Sequence, residues 1–207
     1  MRRRTFLAAA AFAALAASPA LAAEINVEQI LNDPASPIGG DPKGDVTIVA
    51  FLDYNCPFCK KATPGLAKAV KEDGHVRLVY KDWPILAPSS VDGAKLALAA
   101  NYQGKYEEAH AALMALKGRS TAAQMRAAIK GAGVDMARLD ADLSAHGGDI
   151  AALIKRDNAE AESLGLQGTP VFLIGPFKVA AAVDYDEFRR VINQARARQK
   201  GDAPAQQ

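Results

Sequence analysis

The sequence predicts an α/β fold, a mixed sheet with helices on both faces and a helical insertion within it. Three observations carry this. Residues 46–52 (VTIVAFL) are almost wholly apolar and rich in β-branched side chains, the pattern of a central strand covered on both faces. Residues 75–83 (HVRLVYKDW) alternate as a second strand after an intervening helical stretch, which makes a β-α-β unit with parallel strands and a right-handed crossover. Residues 89–164 then carry helical patterns only, before two short strands and a helix close the chain.

In chain order, residues 27–31 form one short helix. Residues 33–45 hold three prolines and three glycines and read as loop. After the first strand a helix runs to about residue 73, with Leu66, Ala69 and Val70 on its apolar face, Lys60, Lys61, Lys68 and Lys71 towards solvent, and Pro64 expected to kink it. The second strand puts Val76, Leu78 and Tyr80 on one face. The block 89–164 divides into four or five short helices, broken near Gly104, residues 117–120, residues 131–133 and Gly147-Gly148. Residues 171–174 are a third strand, turned by Gly175-Pro176 into a fourth over 177–183, antiparallel to it. Residues 185–200 are an amphipathic helix with Phe188, Val191, Ile192 and Ala195 on one stripe.

The first residues are of a different kind. Arg2, Arg3 and Arg4 precede an apolar run over 6–17, then Ser18-Pro19 and the small residues Ala20-Leu21-Ala22. This is the build of a secretory signal, too short for a membrane span, with cleavage expected after Ala22 or Ala23. Arg3-Arg4-Thr5-Phe6-Leu7 also fits a twin-arginine signal, so export by either the Sec or the twin-arginine route into the periplasm is expected. The whole chain has 25 basic and 23 acidic side chains. Removing the three signal arginines leaves 22 against 23, a net of −1. Such a chain lacks the basic footprint of a nucleic-acid binder. The expected organisation is a signal peptide over 1–22, an N-terminal extension over 23–45, a core from 46–88 and 165–200, a helical insertion over 89–164 and a disordered tail over 201–207.

The chain has two cysteines, Cys56 and Cys59, with Pro57 and Phe58 between them. A disulfide there closes almost no loop, so it has little to offer as a structural staple. It falls instead where a buried strand hands over to a helix. The first cysteine then sits at the helix N-terminus, where unpaired N–H groups and the dipole favour a thiolate. The second lies one turn on and can reach back to it. Cys56 is therefore expected to be the partly exposed nucleophile and Cys59 the buried resolving thiol. A metal site needs about four ligands, and His75, His110 and His146 lie at no ligand spacing to the cysteines; no metal and no cofactor are expected. Gly168-Thr169-Pro170, before the third strand, is a candidate cis peptide.

The segments Phe51-Leu52-Asp53-Tyr54-Asn55-Cys56-Pro57-Phe58-Cys59-Lys60, Tyr80-Lys81-Asp82-Trp83-Pro84-Ile85-Leu86 and Gly168-Thr169-Pro170-Val171-Phe172 resemble the DsbA-like family, most closely its Com1/ScsC-type branch. The resemblance runs from about Ile30 to the last helix. It implies a thioredoxin-like fold with an inserted helical domain, Cys56 and Cys59 as a redox pair tuned by Pro57 and Phe58, and a cis-proline loop in which Thr169 and Pro170 bind substrate. It implies a protein-disulfide oxidoreductase acting on unfolded or partly folded exported proteins, recharged by a membrane redox partner of the DsbB or DsbD/ScsB kind. Pro57-Phe58 lacks the histidine of the strongest oxidases, and Thr169 resembles isomerase and ScsC-like members. The short N-terminal extension argues for a monomer and an oxidant. The alternatives are an ScsC-like reductase or isomerase, and a non-catalytic copper-binding or holdase module.

The resemblance also places a buried glutamate six residues before the first cysteine, where this chain has Ala50. Asp53, Lys81 and Asp82 are possible substitutes, but as charged residues they are expected at the surface. Trp83 is expected in the core or, with residues 84–88, walling an apolar groove. Met114, Met125 and Met136 are expected in helical core, Tyr102 and Tyr106 in helix packing, and His110 and His146 at the surface.

Overall fold

The computed structural model describes residues 25–201. The expected signal peptide and all but the first residue of the expected tail lie outside the described residues. The elements are α1 (Val27–Asn32), β1 (Ile38–Gly40), β2 (Val46–Leu52), α2 (Pro57–Asp73), β3 (Val76–Asp82), α3 (Pro88–Asn101), α4 (Tyr106–Met114), α5 (Ala122–Gly131), α6 (Met136–Ser163), β4 (Val171–Ile174), β5 (Phe177–Val179) and α7 (Tyr185–Gln199). The sheet order is β1-β3-β2-β4-β5. β2 and β3 are parallel, with Ala50 beside Tyr80 and Leu52 beside Asp82. The remaining pairs are antiparallel. This is the thioredoxin-like fold, with four helices between β3 and β4.

Alternation along β2 and β3 divides the core in two. Ile48, Ala50 and Leu52 face a large cluster with α2, α3, α4 and α7 that includes both cysteines. Val49, Phe51 and Val79 face a smaller one with Ile30, Trp83, Ala161 and Val171. Trp83 is thus core, its ring edge-on to Phe51 with centroids 6.2 Å apart. The helix α2 starts with Pro57 at its first position and stops at Gly74, whose φ of 73° places it in the left-handed region that glycine adopts freely. It runs unbroken through Pro64.

Several expectations need correction. The segment 33–45 is not all loop: β1 pairs along β3, Ile38 opposite Val79 and Gly40 opposite Arg77. Its glycines hid it, because they weaken strands on average. Here Gly40 is required, since its φ of 66° lies in the left-handed region and a Cβ would run into the Val76 carbonyl. The strand β3 is inside the sheet, so both its faces are buried rather than one. The expected break at Gly147-Gly148 is absent: α6 passes straight through as 28 residues. Two interior glycines cost about 1 kcal/mol each, and neither would meet any atom if given a side chain. The helix persists because Leu139, Ile150, Leu153, Ile154 and Ala161 are buried along it, and because the Asp135 carboxylate caps its start, accepting from the Ala137 and Arg138 amides at 2.9 and 3.1 Å. β5 ends at Val179, short of the expected 183.

Candidate active site

The site is assembled where β2 ends. Asp53, Tyr54 and Asn55 turn the chain, with the Cys56 amide donating to the Asp53 carbonyl at 3.0 Å. Cys56 becomes the N-cap of α2 in an extended conformation, and its Sγ accepts from the Cys59 amide at 3.3 Å. A sulfur therefore occupies the position that a serine or aspartate oxygen fills in an ordinary cap. Both cysteines are free thiols. The Thr169–Pro170 peptide is cis, and the Thr169 carbonyl accepts from the Cys56 thiol at 3.2 Å.

Two thiols at one helix end titrate very differently. A hydrogen bond from the Cys59 side chain, aided by the Cys59 and Phe58 amides, outweighs burial and lowers Cys56 to about 6. Burial, and then the Cys56 sulfur, drive Cys59 far above the ordinary thiol range. At neutral pH the dithiol holds a thiolate on Cys56 and a proton on Cys59. Cys56 is less accessible than expected, at 2 % exposed against 0 % for Cys59. Its thiol points back under the Thr169 carbonyl and into the cap, so a partner sulfur must approach through the neighbouring surface.

That surface is apolar. Phe58, Ile85 and Leu86 are exposed at 61 %, 43 % and 41 %. A cleft of about 490 Å³ beside Pro170 is lined by Phe58, Leu166, Thr169, Lys178 and Ala181. Of the two places expected for Trp83, it takes the core, at 5 % exposed, and not the groove wall.

Asp53 is 1 % exposed rather than at the surface. Its carboxylate accepts from the amides of Asn55, Ile85 and Leu86 and from the Ser90 hydroxyl, at 2.7–2.9 Å. It holds the turn before Cys56, the exposed Ile85-Leu86 pair and the start of α3 in one register. Asn55 does the same on the other side, donating to Ser89 and Ser90 and accepting from the Ser120 amide at 2.7 Å. Sequence reasoning missed both roles; the only signal was a polar Asp-Tyr-Asn triplet at the end of an apolar strand.

Lys81, Asp82 and His110 were expected at the surface, and all three are buried. Lys81 Nζ lies 2.7 Å from Glu160 Oε2 and 3.4 Å from Asp157 Oδ1, both carboxylates on α6. Asp82 accepts from the Tyr106 hydroxyl at 3.2 Å. Burial raises it to about 7, against the hydrogen bonds from Tyr54 and Tyr106. The Tyr54 hydroxyl lies 3.4 Å from the Tyr106 hydroxyl and 3.1 Å from His110 Nδ1, and burial lowers His110 to about 3. Tyr54 joins this chain to the cysteine turn two residues on. Ala50 lies between Tyr80 and Phe172 in the sheet, so its position carries no acid.

The family model described as thioredoxin matches residues 32–194. A thioredoxin-like oxidoreductase from Silicibacter pomeroyi DSS-3 is 38 % identical, with 83 % of this chain and 98 % of that one aligned at a TM-score of 0.77. The thiol-disulfide exchange protein alpha-DsbA2 of Wolbachia pipientis is 28 % identical over 80 % and 89 % of the two chains, with a TM-score of 0.76. The catalytic domain of Proteus mirabilis ScsC is 27 % identical over 82 % and 94 %, with a TM-score of 0.75. A curated relative of a different description, a Na(+)/H(+) antiporter NhaA 1 from Mycobacterium sp. strain KMS, is 28 % identical over 155 residues, 70 % of this chain and 25 % of that protein. The chain spans about a quarter of the length of such curated relatives. Among the described residues no helix is long and apolar enough to cross a membrane.

Proposed function

The chain belongs to the thioredoxin family, and on that premise we propose that it is an exported, periplasmic protein-disulfide oxidoreductase working in the oxidising direction. Its fold is that of the DsbA- and ScsC-like thiol-disulfide oxidoreductases, with Cys56 and Cys59 adjacent. The observation that carries the reading is the Cys56 sulfur in the cap of α2, held to about 6. A thiolate stable in the dithiol form favours reduction of the disulfide, which makes the pair an oxidant of other thiols.

In the proposed cycle a substrate thiolate attacks Cys56 Sγ of the Cys56–Cys59 disulfide. The S–S bond breaks, a mixed disulfide forms, and Cys59 leaves and takes a proton, as its buried position demands. A second substrate thiolate attacks the substrate sulfur of the mixed disulfide. Cys56 departs as a stable thiolate and the substrate leaves oxidised by two electrons. A membrane redox partner of the DsbB or DsbD/ScsB kind then reoxidises the pair. Unfolded or partly folded exported proteins suit the exposed Phe58, Ile85 and Leu86, because apolar contact and pairing along the Thr169 backbone read little sequence. The leader over 1–22 supports export, and a monomer is the expected state.

The reductase or isomerase reading draws on the threonine at 169. Trapping free thiols with an alkylating agent in intact cells separates the two. The oxidase requires the pair to be found mainly oxidised, and a mainly reduced pair overturns it. In addition, Cys59→Ser should accumulate mixed disulfides, since the chain has two cysteines and no other thiol of its own can displace the substrate from Cys56. Intact turnover in that variant would remove Cys59 from the mechanism.

A further inference from the structure

Between α2 and α4, starting at Pro57, lies a second cleft of about 610 Å³. Pro57, Pro64 and Met114 form part of an apolar floor, and Lys60, Lys61 and Lys117 line the same cleft. No carboxylate lines it. Arg119 is exposed just beyond, next to Gly118. The Lys60 ammonium donates to the Gly118 carbonyl at 2.6 Å, which clips the turn after α4 onto α2 and holds the rim in place.

Several basic side chains elsewhere are neutralised locally: Arg196 by Asp45 and Asp73, Arg126 by Asp140, Lys105 by Glu108. Among the described residues, no carboxylate pairs with Lys60, Lys61, Lys117 or Arg119. A mature chain of net −1 thus leaves four positive charges together at the cleft that begins at Pro57, between the two cysteines. The next cleft along the same seam shares Thr63, Ala67 and Ala111 with it but sets Glu107 and Glu108 against Lys71. Of the two, the cleft at the redox end is the one whose cations face no carboxylate in the lining.

Resting on the oxidoreductase reading, we propose that this cleft docks the polypeptide flanking a substrate cysteine and selects segments in which acidic residues accompany an apolar one close to that cysteine. The floor takes the apolar side chain and the rim takes the carboxylates. Exposed rim charges act mainly on the association rate and its salt dependence, so the cleft would rank substrates and leave the exchange chemistry to Cys56.

Two fluorescent cysteine-free peptides test this, alike except that one carries Asp and Glu where the other carries Asn and Gln, with binding read by anisotropy. A matched pair containing a cysteine reads exchange rate. The acidic peptide should bind about tenfold more tightly at low salt, a preference that raised salt and K61E/K117E both bring to parity. The ratio of exchange rates for the matched pair should fall in step. Equal binding of the two peptides overturns the proposal, as does a preference that survives charge reversal, or binding of phosphatidylglycerol vesicles with no peptide preference. Binding preference with no exchange on either peptide would sink the redox reading and leave the cleft standing, whereas exchange without preference would sink the cleft alone.

Discussion

Lys81 and Asp82 are neighbours at the end of β3, equally buried at 1 % and 2 % exposed, yet the two sides of the sheet treat them in opposite ways. On one side Lys81 keeps company with two carboxylates of α6, close enough for an ion pair with Glu160. On the other side Asp82 meets the hydroxyls of Tyr54 and Tyr106 and no cation, and burial pushes its carboxyl up to about 7. Burial pushes the Asp157 carboxyl up as well, but there the Lys81 charge opposes it, whereas at Asp82 only neutral hydroxyls do. The cysteines follow the same rule just beyond this end of the sheet, where β2 hands over to α2. Cys56 faces donors at a helix end and becomes a thiolate, while Cys59, in the apolar interior, stays a thiol.

The largest expected break comes on the Lys81 side. Lys81→Met leaves Glu160 and Asp157 buried with no cation and should cost about 3–5 kcal/mol in chemical denaturation. Replacing all three by apolar residues of similar volume should recover most of that loss. A small effect of the single substitution would mean that α6 is not held to the sheet by this cluster.

Asp82 should be felt through pH. Its folded pKa, about 7, lies above the ordinary carboxyl value of 3.8, so the folded state binds this proton more tightly than the unfolded chain does. The contribution is favourable below about 4 and is lost as pH rises towards 7, roughly 2–4 kcal/mol across that window. Asp82→Asn should flatten the stability profile there while keeping an acceptor for Tyr106. An unchanged slope would assign the titration elsewhere.

The smallest effect sharpens the contrast between the thiols. Cys56 is lowered from 9.0 to about 6, so its stabilisation of the reduced protein is complete above 9 and lost as pH falls through 6. The stability of the reduced form, measured relative to the oxidised form, should therefore fall on acidification across that window, and thiolate absorbance should titrate with a midpoint near 6. A midpoint near 9 would mean that the helix end does not hold the charge.

Local pattern alone determined much of this protein. Strand limits at Val46–Leu52 and Val171–Ile174, the antiparallel final pair and the placing of Cys56 at a strand-to-helix junction follow from alternation, apolar runs and turn residues, whose physics acts within a few positions. What tertiary structure decided involves partners distant in sequence. Lys81 could not be read as buried, because Asp157 and Glu160 lie more than seventy positions on. Asp53 looked like a surface charge until Ile85, Leu86 and Ser90 were folded onto it. β1 depends on the Val76 carbonyl that only a glycine at 40 lets approach, and α6 continues through two glycines because packing outweighs propensity. A sequence shows which groups carry charge and which faces are apolar. Whether a charge is buried, and what neutralises it there, is settled by the chain segments that long-range packing brings against it.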